Sequence, residues 1–199
     1  MNTRDILDVA KALQATKQRW YFRYQAIQFL REHDVAAHPI LLPILCEKLR
    51  KRDDIPEVLG AIASALLPHV RFPAVFAVLR RGLNSPLSSV RVAAIRALGT
   101  RLSVHAGLVQ ELLSHTLVEQ EPLVCRVLVE TLAPEAGDNS LVMEWLIKVA
   151  THGDYVSREP AIVALLYWMP ARAGVVDVLM ELVRAKRIGD QDLARHIRN

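Results

Sequence analysis

The sequence predicts an all-α protein built from repeated helical hairpins, and three observations carry that expectation. Apolar residues recur at helical spacing along nearly the whole of the 199-residue chain. Helix-breaking residues cut this pattern repeatedly, for example at Asp34, Pro56, Pro68, 84–86, Pro122, 134–139, 152–154 and Pro170. Sustained alternation of apolar and polar residues is scarce, and no Asn-Gly or Asp-Gly hairpin turn occurs. Eleven or twelve short helices follow, and none of them can bury an apolar face alone. They are expected to pack in pairs.

The pairs repeat. When the second helix of each pair is aligned on its last apolar residues, Phe29-Leu30, Ala65-Leu66, Ala97-Leu98, Thr131-Leu132 and Ala164-Leu165 fall in register. Their leucines are separated by 36, 32, 34 and 33 residues. Small or apolar residues stand three positions before each pair, at Ala26, Ile62, Ala94, Leu128 and Ala161. Three further back stand Arg23, Leu59, Arg91, Cys125 and Arg158. The units this register defines are 3–33, 36–68, 71–102, 105–134 and 138–169. A closing piece at 172–198 ends in the polar stretch "GDQDLARHIRN", with Leu193 and Ile197 as its apolar contacts.

The stretch "SSVRVAAIRALGTR", residues 88–101, resembles the second helix of a HEAT repeat in its Val-Arg pair, its small residues and its Ala-Leu-Gly ending. The other four units resemble it more loosely. The resemblance implies a right-handed α-solenoid of five to six HEAT-like hairpins forming one repeat domain. First helices would lie on the convex side and second helices on the concave side. It also implies a binding platform of the compact kind seen in bacterial repeat proteins.

Composition narrows the function. Hydrophobic residues make up 52% of the chain, which is enough for a packed core. Cys46 and Cys125 stand 79 residues apart in apolar contexts and read as core thiols in a reducing compartment. The N-terminal stretch mixes Arg4, Asp5, Asp8 and Lys11 with its apolar residues, so no signal peptide is expected. No apolar run is long enough to span a bilayer, and a cytoplasmic protein with no membrane partner is expected. The net charge of +4 is unevenly spread. Residues 1–101 hold 16 Lys/Arg against 8 Asp/Glu, whereas residues 102–147 hold Arg126 against seven acids.

The candidate binding residues follow from charge and aromaticity. The first helices of the second and third units end in basic runs, which supply Lys48, Arg50, Lys51, Arg52, Arg80 and Arg81. These cations suit the negative ends of helix dipoles. If the first helices end on one edge, they also form a continuous basic rim. A further basic run, 184–187, lies beyond the acidic fourth unit. The one aromatic cluster, residues 18–30, offers Trp20 and Tyr24 on an arc opposite Phe22, Ala26, Phe29 and Leu30, as anchors for a partner. Tyr167 and Trp168 are a second, smaller group. Within 88–102, Arg91 falls inside the apolar arc, and Arg96 lies about 140° away, displayed to solvent. Arg23, Arg91 and Arg158 are therefore read as structural arginines that bond loop carbonyls or carboxylates, with Asp154 as a local partner for Arg158.

No metal, cofactor or catalytic residue is expected. The seven histidines form no i,i+4 pair and stand clear of the cysteines, and the eight glycines form no phosphate loop. The expected function is a non-enzymatic scaffold or adaptor that holds another protein with an acidic surface, through its concave face and basic N-terminal rim. The alternative is nucleic-acid binding, because some HEAT-like solenoids are DNA glycosylases; Asp154, Tyr155 and Arg158 are the nearest constellation for that chemistry. Repeat enzymes of the bilin-lyase or hydroxylase kind would need a reactive cysteine or His-Glu metal pairs, which the pattern lacks.

Overall fold

In a computed structural model, residues 3–15, 20–31, 40–52, 54–105, 107–168 and 173–184 are described. They are all-helical, with no strand among them. The chain divides into two compact units, Met1–His105 and Ala106–Asn199.

Among its described residues the first unit holds six α-helices: α1 (Thr3–Gln14), α2 (Trp20–Arg31), α3 (Leu41–Lys51), α4 (Pro56–Leu66), α5 (Pro73–Gly82) and α6 (Ser88–Gly99). Their ends follow from local chemistry. Pro56 and Pro73 open α4 and α5, where a missing N–H costs no hydrogen bond. Arg52 ends α3 in the left-handed conformation, φ 56°, its N–H donating to the Lys48 carbonyl. Consecutive helices pack as pairs, α1 on α2, α3 on α4 and α5 on α6. The even helices also pack in a row, α2 on α4 on α6, as do the odd ones, α1 on α3 on α5. Between the rows lie fully buried side chains, including Leu41, Leu45, Ile62, Leu66, Leu79 and Leu98. Gly60 lets the even row close up: a Cβ there would stand 2.7 Å from Ser89 Oγ.

The second unit holds α7 (Leu108–Thr116), α8 (Pro122–Leu132), α9 (Ser140–His152), α10 (Tyr155–Trp168) and α11 (Ala173–Arg184). Pro122 opens α8. Asn139 caps α9, its Oδ1 accepting from the N–H groups of Leu141 and Val142 at 3.0 and 3.3 Å. Asp154 opens α10 in the same way, accepting from Val156 and Ser157 at 2.8 and 3.0 Å. Here α8 packs on α10, α9 on α10, and α11 on both α9 and α10. Pro160 sits inside α10 and leaves the Val156 carbonyl without its helical donor.

The registered leucines Leu30, Leu66, Leu98, Leu132 and Leu165 are all fully buried. The helix within the closing piece is α11; Leu193, Ile197 and the rest of 185–199 lie outside the described residues. No helix among the described residues is long and apolar enough to cross a membrane.

Candidate functional site

Across the even row of the first unit runs a groove of about 520 Å³. Its aromatic wall is Trp20, Tyr21 and Tyr24 of α2; small residues of α4, Gly60, Ala61 and Ser64, form its floor. Trp20 meets Tyr21 and Tyr24 edge-on at 6.0 and 6.2 Å, an arrangement that holds the rings without burying them. Trp20 is 46% exposed and Tyr24 half-buried. Phe22 and Phe29, expected on a packed face, are exposed instead. The buried arc of α2 is Arg23, Ile27 and Leu30, which lies between the two apolar arcs of the sequence.

Arg23 is buried because a counter-charge meets it. Its Nε and Nη2 donate to Asp54 Oδ2 and Oδ1, each at 2.8 Å, and Lys48 Nζ stands 3.6 Å from the same carboxylate. The Asp54 side chain is 1% exposed. Burial alone would raise its pKa. Hydrogen bonds from Arg23 and the Ile55 N–H, with the charges of Arg23 and Lys48, outweigh that and hold the carboxyl below its ordinary value. Lys48 therefore leaves the expected basic rim. It continues the apolar stripe of Leu41 and Leu45, and its ammonium is sealed against Asp54 at 7% side-chain exposure.

The other basic residues stay at the surface. Arg50 donates to both carboxylate oxygens of Glu47 at 2.8 and 2.7 Å, and Lys51 reaches the same group at 3.1 Å. These two partners push the Glu47 pKa down to about 2. Arg50, Arg52 and Arg81 line one recess of about 320 Å³ with an apolar floor of Leu49, Leu59, Val78 and Val90. Arg80 is exposed on the same turn of α5 as Arg81. Arg96 is exposed on α6. Arg91 is half-buried, with Nη1 donating to the carbonyls of Ser85 and Pro86 at 2.9 and 3.2 Å.

In the second unit, α8 and α10 enclose a larger groove of about 740 Å³, between Arg126 and Glu130 on one side and Glu159, Pro160, Val163 and Tyr167 on the other. Arg126 Nε donates to Glu130 Oε1 at 2.7 Å, and Tyr167 is 75% exposed. The Trp168 side chain lies outside the described residues. Sequence reading named Tyr167 but missed this groove; the signal was Pro160 and Val163 on an exposed face of an otherwise buried helix.

Arg158 does not bond the Asp154 side chain. Its Nη2 donates to the Gly153 carbonyl at 2.5 Å, and its buried Nε has no partner. Asp154 is occupied as a helix cap, with Oδ2 also accepting from Ser157 Oγ at 2.6 Å, and Tyr155 points to solvent. Cys46 and Cys125 are half-buried thiols, and burial pushes both pKa values up to about 11, with Glu119 and Asp154 adding to the effect at Cys125. Among the described residues no cluster of three His, Cys, Asp or Glu side chains could hold a metal. No protein-family model, curated protein or solved structure matches the chain.

Proposed function

We propose that this chain is a HEAT-like helical-repeat adaptor that binds another protein, without catalysis, through the exposed faces of its second helices. The observation that carries the reading is the α2–α4–α6 groove, where large aromatic side chains stand exposed above a floor of small residues. Trp and Tyr are the side chains that most often dominate protein-binding hot spots, because they bring large rigid area at small entropic cost. The two-row packing of the first unit supports the solenoid part of the proposal, and the paired helices of the second unit fit the same plan. The partner's surface would be acidic where it meets Arg52, Arg81 and Arg96. A glycosylase-type nucleic-acid reading finds less support, since both oxygens of Asp154 are engaged as a cap.

A photo-crosslinking side chain at Tyr24, compared with one at the exposed Ala77 of α5, tests the proposal in cells. A protein adduct of defined mass should form from position 24, vanish with Trp20→Ala, and be absent from position 77. Labelled duplex and single-stranded DNA, titrated at about 50 and 200 mM salt, provide the other arm. Tight binding with a steep salt slope would sink the adaptor reading.

A further inference from the structure

We propose that the recess between the C-terminal ends of α3 and α5 is a binding site for a phosphomonoester carried on an apolar group. The inference stands apart from the aromatic groove and goes beyond the adaptor reading.

Charge decides first. Arg50, Lys51, Arg52 and Arg81 bring four positive charges to the two helix ends. Glu47 returns one, and the neighbouring Asp53 of the sequence at most another. Each helix C-terminus contributes about half a negative charge. An excess of about one positive charge remains, so compensation of the dipoles does not account for the cluster.

Donor geometry decides second. The Arg50 fork is taken by Glu47, whereas the Arg52 and Arg81 forks make no ion pair with any described residue. Two guanidinium forks present more parallel N–H donors than the two oxygens of one carboxylate can accept; the three terminal oxygens of a phosphomonoester suit them better. A phosphodiester offers only two such oxygens and one charge. Size decides third. At about 320 Å³ the recess is far larger than a phosphate group, which leaves room for a carrier whose carbon atoms would meet the edges of Leu49, Val78 and Val90 within a mostly polar lining.

Arg52 adds a fourth observation. It occupies a left-handed position, φ 56°, where glycine is the usual helix-ending residue. A long cation held there at a conformational cost is consistent with use of its guanidinium. The same feature makes the test clean, because Arg52→Gly removes the guanidinium while relieving the backbone.

The experiment is calorimetric titration of the full chain with phenyl phosphate, inorganic phosphate, benzoate and a short duplex DNA, at about pH 7.5. Phenyl phosphate should bind saturably and more tightly than inorganic phosphate or benzoate. Arg52→Gly and Arg81→Gln should each weaken it at least tenfold with helical content and melting retained, and Lys148→Gln, in the second unit, should leave it unchanged. Binding should also weaken between about pH 7.5 and 5.5, as the phosphate takes up its second proton near pH 6. No saturable binding, equal affinity in Arg52→Gly, or inorganic phosphate or benzoate binding as tightly would each overturn the proposal. So would displacement of phenyl phosphate by duplex DNA with a steep salt dependence.

Discussion

Removing the carboxylate of Asp54 is the sharpest perturbation the structure offers. Asp54→Ala deletes two charge-assisted hydrogen bonds of 2.8 Å from Arg23, the contact with Lys48 and the 2.9 Å bond from the Ile55 N–H. It leaves two cations, with side chains 8% and 7% exposed, without their anion. Breaking a buried pair from one side typically costs about 3–5 kcal/mol, because the surviving charge stays desolvated. For a unit of about 100 residues that lowers the melting temperature by at least about 12 °C. Urea unfolding followed by circular dichroism measures the loss directly. Replacing the whole cluster, with Arg23→Met and Lys48→Met added to Asp54→Ala, should recover most of it, since no buried charge then remains. The pH dependence has a definite sign. Because the folded carboxyl titrates below its unfolded value of about 3.9, its stabilisation is fully present above that value and is lost as pH falls through the folded pKa. The gap between wild type and Asp54→Asn should therefore be flat above about pH 5 and close at lower pH. A loss below about 1 kcal/mol for Asp54→Ala would mean the carboxylate is solvated, and the clamp between the first two hairpins would be refuted.

Three further outcomes follow from single positions. Arg52→Gly should raise stability by up to about 1 kcal/mol, since glycine adopts the left-handed region without a Cβ penalty, partly offset by its freer unfolded state; a clear loss in urea unfolding would contradict this. Gly60→Ala should cost about 1 kcal/mol despite alanine's better helix propensity, because the new Cβ meets Ser89 Oγ at 2.7 Å and Cβ at 3.0 Å; adding Ser89→Gly should restore part of the loss in a double-mutant cycle. Cys46 and Cys125, whose pKa values burial raises to about 11, should react with iodoacetamide at least about tenfold more slowly in the folded chain than in urea, the loss of thiolate outweighing its greater nucleophilicity, as mass spectrometry of the adducts would report.

Helix positions were legible because their ends are written in local chemistry. Pro56 and Pro122 open helices and Asn139 and Asp154 cap them, signals a sequence carries without knowledge of the fold. The buried leucines were legible because one register repeats along the chain. What escaped were the features set by distant residues. Lys48 looked like part of a surface run, yet it stands on the stripe of Leu41 and Leu45, and Asp54 makes burial there tolerable. The rotation of α2 escaped for the same reason. A wheel drawn on α2 alone places Phe22 on a packed face, because it cannot see that Asp54, 31 residues beyond Arg23, draws the arginine inward. The grooves escaped because each is formed by helices that are not consecutive in the chain.

The repeated position that mixed three arginines with a leucine and a cysteine has one physical content. In each hairpin the turn after the first helix carries backbone carbonyls that no helical N–H satisfies, and a donor near the start of the second helix can meet them. Arg91 donates to Ser85 and Pro86 in the turn of its own hairpin, and Arg158 to Gly153 in its own. Cys125 does the same more weakly, with Sγ 3.7 Å from the Glu119 carbonyl. Arg23 reaches Ala15 in its own turn at 3.4 Å but spends its stronger bonds on Asp54. The second hairpin carries Leu59 at this position, and its turn presents Asp54 both to Lys48 of the same hairpin and to the arginine of the hairpin before it. The irregular member of the repeat is thus the one that ties two hairpins together. Loss of Arg23 should loosen both of them, whereas loss of Arg158 acts within one.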